Sequence, residues 1–144
     1  MNRWFFLKTA LLIGLLCGNP AYANPRIAVL GFELNDITSL PNIPQEQQRT
    51  ASIKPLLEAA IKQTQTAYEL VAINPKTQTA ANPGLGYLFH FHELAAKLGQ
   101  DVNADWVIVG QHSKPSFLFS YLLVHAINVK TRQLVGSIDI ELKG

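Results

Sequence analysis

The chain has 144 residues with twelve Lys/Arg against ten Asp/Glu. No stretch clusters like charge, which counts against nucleic acid or an anionic membrane surface as a partner. With 48% hydrophobic residues and a single cysteine, Cys17, stability has to come from burial and not from a disulfide framework.

The first twenty-three residues read as an export signal. "MNRWFFLK" carries Arg3 and Lys8 and no acid, "TALLIGLLC" is an apolar run, and Ala21-Tyr22-Ala23 is the small-x-small pattern cut by a signal peptidase. The run falls short of the about 20 residues that span a bilayer. A lipidated Cys17 would need a small residue before it, and Leu16 stands there. Cleavage between Ala23 and Asn24 is therefore expected, placing residues 24–144 in the periplasm without a stable membrane anchor. Loss of Arg3 and Lys8 leaves ten bases against ten acids. A chain of that length makes one domain.

"RIAVLGFEL" (26–34) is a short apolar, β-branched run, suited to a strand covered on both faces. "NDITSLPNIPQ" after it is loop. Ile53, Leu56, Leu57, Ala60 and Ile61 recur with helical spacing and form one apolar stripe. Pro55 either opens a helix capped by Ser52 or bends a longer one starting near Gln45; the longer helix is preferred. "YELVAI" (68–73) is a second strand, and "NPKTQTAANPGLGY" (74–87), with two Asn-Pro pairs and no apolar period, reads as a mobile loop.

"HELAAKLGQ" (92–100) is a short helix burying Leu94, Ala95 and Leu98, with Gly99 as its stop. "ADWVIVGQ" (104–111) is a third strand. In "FLFSYLLVHAINV" (117–129) the residues Phe119, Tyr121, Leu123, His125, Ile127 and Val129 share a face. "KTRQ" turns into "LVGSIDIEL" (134–142), where Leu134, Ile138, Ile140 and Leu142 oppose a wet face of Ser137, Asp139 and Glu141. The expected fold is a single-domain α/β sandwich on a mixed sheet with two helices, in the order β-α-β-α-β-β-β.

Several positions could carry chemistry. In "FHFHEL", His90 and His92 would lie on one face of an extended chain, and with Glu93 they could ligate Zn or Cu. The alternative has Phe89 and Phe91 packed inward and both histidines in solvent, with Glu93 favouring a helix start. Gln111, His112, Lys114 and Ser116 lie where a strand gives way to a loop, a place for ligand or partner binding as well as for an idle turn. His125 reads as a hydrogen-bonded core histidine. Ser113, His125 and Asp105 could be drawn as a triad, but there is no G-x-S-x-G elbow, phosphate loop or close carboxylate pair. No enzyme is expected, and no cofactor unless the histidine pair holds a metal.

The segment from "ELAAKLGQ" through "ADWVIVGQ" to "RQLVG" resembles the amino-terminal domain of TolB and CsgG-type periplasmic domains. "AVLGFEL", "ELAAKLGQDVNADW" and the G-Q-x-x-K-x-S stretch of Gly110 to Ser116 resemble small secreted bacterial proteins known as domain of unknown function 3280, near 2380. This chain departs in ending at "IELKG", where relatives run on into a further helix. It also carries "FHFHEL" where some have a cysteine pair. The resemblance carries over no catalytic residue. It implies an accessory role beside another periplasmic or envelope protein, with a link to periplasmic oxidation systems.

Overall fold

A computed structural model describes residues 23–143. Residues 1–22, which hold most of the expected export signal, lie outside the described residues; Ala23 and Asn24 are exposed and precede the first strand.

The elements are β1 (Arg26–Val29), β2 (Glu33–Asp36), α1 (Pro44–Lys62), β3 (Glu69–Val71), α2 (Pro75–Ala81), α3 (Tyr87–His90), α4 (His92–Asp101), β4 (Trp106–Lys114), β5 (Phe119–Asn128) and β6 (Gln133–Lys143). They build one mixed sheet in the order β3-β1-β4-β5-β6, with β2 also paired to β4. β1 and β2 run parallel to β4, β3 runs parallel to β1, and β4-β5-β6 is an antiparallel meander. The mixed α/β architecture is as expected, with four helices among the described residues where two were anticipated.

The strand expected over 26–34 is interrupted. Val29 pairs with Ile108 and Glu33 with Gln111, so the chain takes one residue more than β4 over this interval and bulges at Leu30-Gly31-Phe32. Two contacts fix the bulge. The Phe32 ring lies on Gly110, where a Cβ would stand 2.0 Å from Phe32 Cε1. The Gln78 side chain accepts from the Gly31 N–H at 2.8 Å and donates to its carbonyl at 2.9 Å. Gln78 thereby acts as a one-residue strand for a backbone that has left the ladder.

That contact also corrects the expected loop over 74–87. The Asn74 side chain caps α2 by accepting from Lys76 N, and Pro75 sits at the first position, where its missing N–H costs nothing. The Asn-Pro pair is therefore a helix start. Glu33 holds the following turn, accepting from Gly86 N at 2.7 Å and from the Asn82 side chain. Gly86 has φ 82°, a left-handed conformation that favours glycine.

Gly99 lies inside α4 and is not its stop. A Cβ there would come within 2.3 Å of Val107 Cγ2 and 2.7 Å of Val129 Cγ2, so glycine lets the helix settle onto the sheet. The left-handed residue after the helix is Asn103, with φ 55°. The core lies under this helix. Ala28, Leu30, Leu88, Phe89, Ala95, Ala96, Leu98, Val107, Val109 and Ile127 are buried together on one face of the sheet.

α1 covers part of the opposite face. It starts at Pro44 and runs through Pro55, the longer of the two expected forms. The expected apolar stripe is only half used: Leu56 is 67% exposed, whereas the fully buried residues of α1 are Glu46 and Thr50. The helix is seated by polar contacts near its N-terminal end.

Candidate functional site: polar anchors and the surfaces they leave open

The sequence candidates separate into two groups. His90 ends α3 and His92 begins α4, with Phe91 at the break between them. The segment is therefore not extended, and the two rings meet different neighbours. The His90 ring lies against Gly86, and the His92 ring meets the edge of His125 at 5.4 Å. Glu93 is exposed in the first turn of α4. Among the described residues no group of three or more His, Cys, Asp or Glu side chains is placed to hold a metal ion. Of the two phenylalanines, Phe89 packs inward as expected, but Phe91 is exposed and stacks at 5.3 Å on Tyr87. Tyr87, His90, Phe91, His92, Glu93 and Arg132 line an open cleft of about 570 Å³.

His125 stacks on Phe89, with ring centroids 4.0 Å apart and planes at 18°. Its Nδ1 is buried with no hydrogen-bond partner, while a hydrogen bond with the Phe89 backbone works against the fall in its pKa. Burial pushes its pKa down, and neighbouring His92 adds to the effect. Ser113 and His125 are four registers apart on the β4–β5 ladder, and the Asp105 carboxylate accepts from Arg26 N. The three do not assemble.

Gln111, His112 and Lys114, expected at a strand-to-loop margin, are buried inside β4. The strand runs three residues further than "ADWVIVGQ" because β2 pairs with Gln111 through Lys114. His112 is fully buried between α1 and β5, its Nδ1 2.8 Å from Thr50 Oγ1 and its Nε2 2.9 Å from Ser120 Oγ. Thr50 already donates its proton to the Glu46 carbonyl, so the consistent arrangement has His112 Nδ1–H donating to Thr50 and Ser120 donating to Nε2. Burial lowers the His112 pKa, which keeps this neutral tautomer.

Lys114 Nζ donates to Glu46 Oε1 at 2.6 Å, both side chains almost wholly buried. Around this pair the backbone is tied down. Ile37 N donates to the Lys114 carbonyl at 3.1 Å. The Asp36 carboxylate accepts from Thr38 N, Thr38 Oγ1 and Asn42 N. Burial pushes the Asp36 pKa up, but these donors outweigh it and hold the carboxyl below its usual value. Ser116 Oγ accepts from the N–H of Leu118 and of Phe119. Three of the four candidates thus form an internal scaffold, and the fourth shapes a turn.

The open surface lies elsewhere. β6 is the last strand of the sheet, and α1 does not extend over the β5–β6 hairpin. On its face toward α1, Ile138 and Ile140 are 60% and 44% exposed, beside half-buried Leu122 and Val124. The opposite face of β6 presents exposed Ser137, Asp139 and Glu141. The expected wet face is present, but the expected apolar face is wet as well.

The family model described as "Protein of unknown function (DUF2380)", named DUF3280, matches residues 25–144. The chain belongs to this family. No curated protein matches it. The DUF3280 chain is similar in fold to the LpoB C-terminal domain from Escherichia coli, with TM-score 0.58 and 16% identity over 94% of both chains. It is also similar to lipoprotein GNA1162 from Neisseria meningitidis, with TM-score 0.54 and 13% identity over 83% of this chain and 80% of that one. TolB from Acinetobacter baumannii is similar at TM-score 0.49 and 14% identity, over 84% of this chain and 24% of that one. At these identities the likeness is one of fold.

Proposed function

We propose that this chain is a non-enzymatic binding protein of the cell envelope, working by contact with another envelope protein through β6. The observation that carries this reading is the uncovered outer strand. Among the described residues, β6 is eleven residues long, pairs on one side only and leaves isoleucines on its surface. A long apolar edge of this kind is a hazard unless a partner strand or groove covers it. The likeness in fold to LpoB and to a lipoprotein supports an envelope setting, as does the signal-like N-terminus. The oxidation link implied by the family resemblance gains no support from these neighbours. The helix break at Phe91 between the two histidines likewise gives the Zn or Cu alternative no support.

The test is site-specific photo-cross-linking in cells that export the chain. A cross-linker at Ile140 is expected to yield one discrete adduct with a different protein, and one at exposed Gln100 on α4 none. Asp139→Lys or Glu141→Lys should remove the adduct, while the double change His90→Ala/His92→Ala should leave it. Absence of an adduct at Ile140, or equal adducts at both positions, would sink the reading.

A further inference from the structure

α1 is held to the sheet by a network that includes a titratable ring. Its two fully buried residues both reach β4, Glu46 to Lys114 at 2.6 Å and Thr50 to His112 at 2.8 Å. His112 is itself fully buried, with Nδ1 bonded to Thr50 and Nε2 to Ser120. The remaining residues of α1 are exposed or half-buried. Segments 37–43 and 63–68, which belong to no helix or strand, join α1 to β2 and β3. A helix tied down in this way can lift while the sheet face under α3 and α4 stays closed.

A proton on His112 disrupts this network at its centre. Nε2 gains an N–H and loses the lone pair that accepts from Ser120. The ring also acquires a full charge in a site closed to water. Around it stand Glu46 and Arg49 from α1, Lys114 from β4 and Asp36 from β2, two acids against two bases. Glu46 is already engaged by Lys114 at 2.6 Å and by Arg49 at 3.9 Å. With the neighbouring charges balanced, burial decides, and it lowers the pKa of the ring. Once α1 lifts, water reaches the ring and its ordinary value of about 6.5 returns. The lifted state therefore binds protons more readily than the seated one, and acid favours it.

We propose that α1 is an acid-released cover, seated on the sheet while His112 is neutral and lifted when His112 takes a proton. Release bares what the helix covers. Ile27, Val29 and Ile108 lie on the His112 face of β1 and β4, in line across the sheet with Leu122 and Val124 and with the exposed Ile138 and Ile140. The apolar surface of the hairpin then extends over the neighbouring strands. As control of partner contact this rests on the reading of β6 given above; the release itself does not.

The test is amide hydrogen exchange of residues 24–144 at pH 7.5 and 5.5, with rates corrected for the intrinsic effect of pH. The open fraction of α1 is expected to rise about tenfold between the two, the change that one group of ordinary pKa about 6.5 imposes when its seated form stays neutral. Amides of β4 from Val107 to Val109 should stay better protected than those of α1 at both values. His112→Gln can still donate to Thr50 and accept from Ser120 but does not titrate, so it should abolish the α1 response, while His125→Gln should keep it. Nitrogen-15 spectra of the wild-type histidine rings read the same step without a substitution: His112 should become cationic only as α1 loses protection. A cationic His112 under a protected α1 overturns the proposal. So does the absence of any α1 response, or a response that survives in His112→Gln. Opening of α1 and β4 to the same extent overturns it as well, since the fold would then open only as a whole.

Discussion

The two faces of the sheet are held by different forces. Under α3 and α4 the contacts are apolar and close, with Leu88, Ala95 and Leu98 against Ala28, Val107 and Ile127. Under α1 the buried contacts are directional: Thr50 to His112, and Glu46 to Lys114. Apolar packing rewards coverage, so the first face is closed over its centre. Directional contacts need few residues, so α1 can be pinned at one end while the β5–β6 hairpin stays bare. The first face is closed by packing, and the second leaves the isoleucines of the hairpin exposed.

The contrast can be broken most severely at Lys114. Lys114→Met leaves the buried Glu46 carboxylate with only half-exposed Arg49, 3.9 Å away, as counter-charge, and urea unfolding should show a loss of about 3 kcal/mol. The double change Lys114→Met/Glu46→Leu should recover most of it, because an apolar pair can replace a buried ion pair. On the other face, Leu88→Ala should cost about 2–5 kcal/mol with no partner substitution to rescue it. Equal failure of rescue on both faces would erase the distinction.

Acid should act on both faces, through His112 on the directional one and His125 on the apolar one. His112 and His125 both have folded pKa values below the usual value of about 6.5. The unfolded chain therefore binds more protons between the folded values and about 6.5. The histidine contribution is complete above that pH and is lost as the pH falls toward the folded values. Melts from pH 7.5 to 5.5 should show a falling transition temperature, with a shallower fall in His112→Gln. Ile138→Ser on the bare hairpin should change stability by no more than about 0.5 kcal/mol. The smallest expected effect is that of Zn²⁺ or Cu²⁺: no shift in the melt of the wild type or of His90→Ala/His92→Ala. A rise confined to the wild type would restore the metal reading.

The sequence by itself determined the mixed α/β class, the parallel start and the antiparallel meander, and left Pro55 as either the start or the bend of α1. These follow from periodicity and chain order, which are local properties. It also marked "FHFHEL" and the Gly110–Ser116 stretch as unusual, but not what they do. The spacing of His90 and His92 fits a metal pair only on an extended chain, and whether the chain extends there depends on Glu33 and Gln78 anchoring the preceding turn and helix. Those anchors join residues more than forty positions apart, beyond the reach of any window of sequence. The sequence likewise placed His112 and Lys114 at a strand-to-loop margin, yet partners on α1 and β5 allow both to be buried. Only the tertiary structure decided which polar residues are anchors and which apolar ones are surfaces, because burial is a property of what lies opposite a side chain and not of the side chain alone.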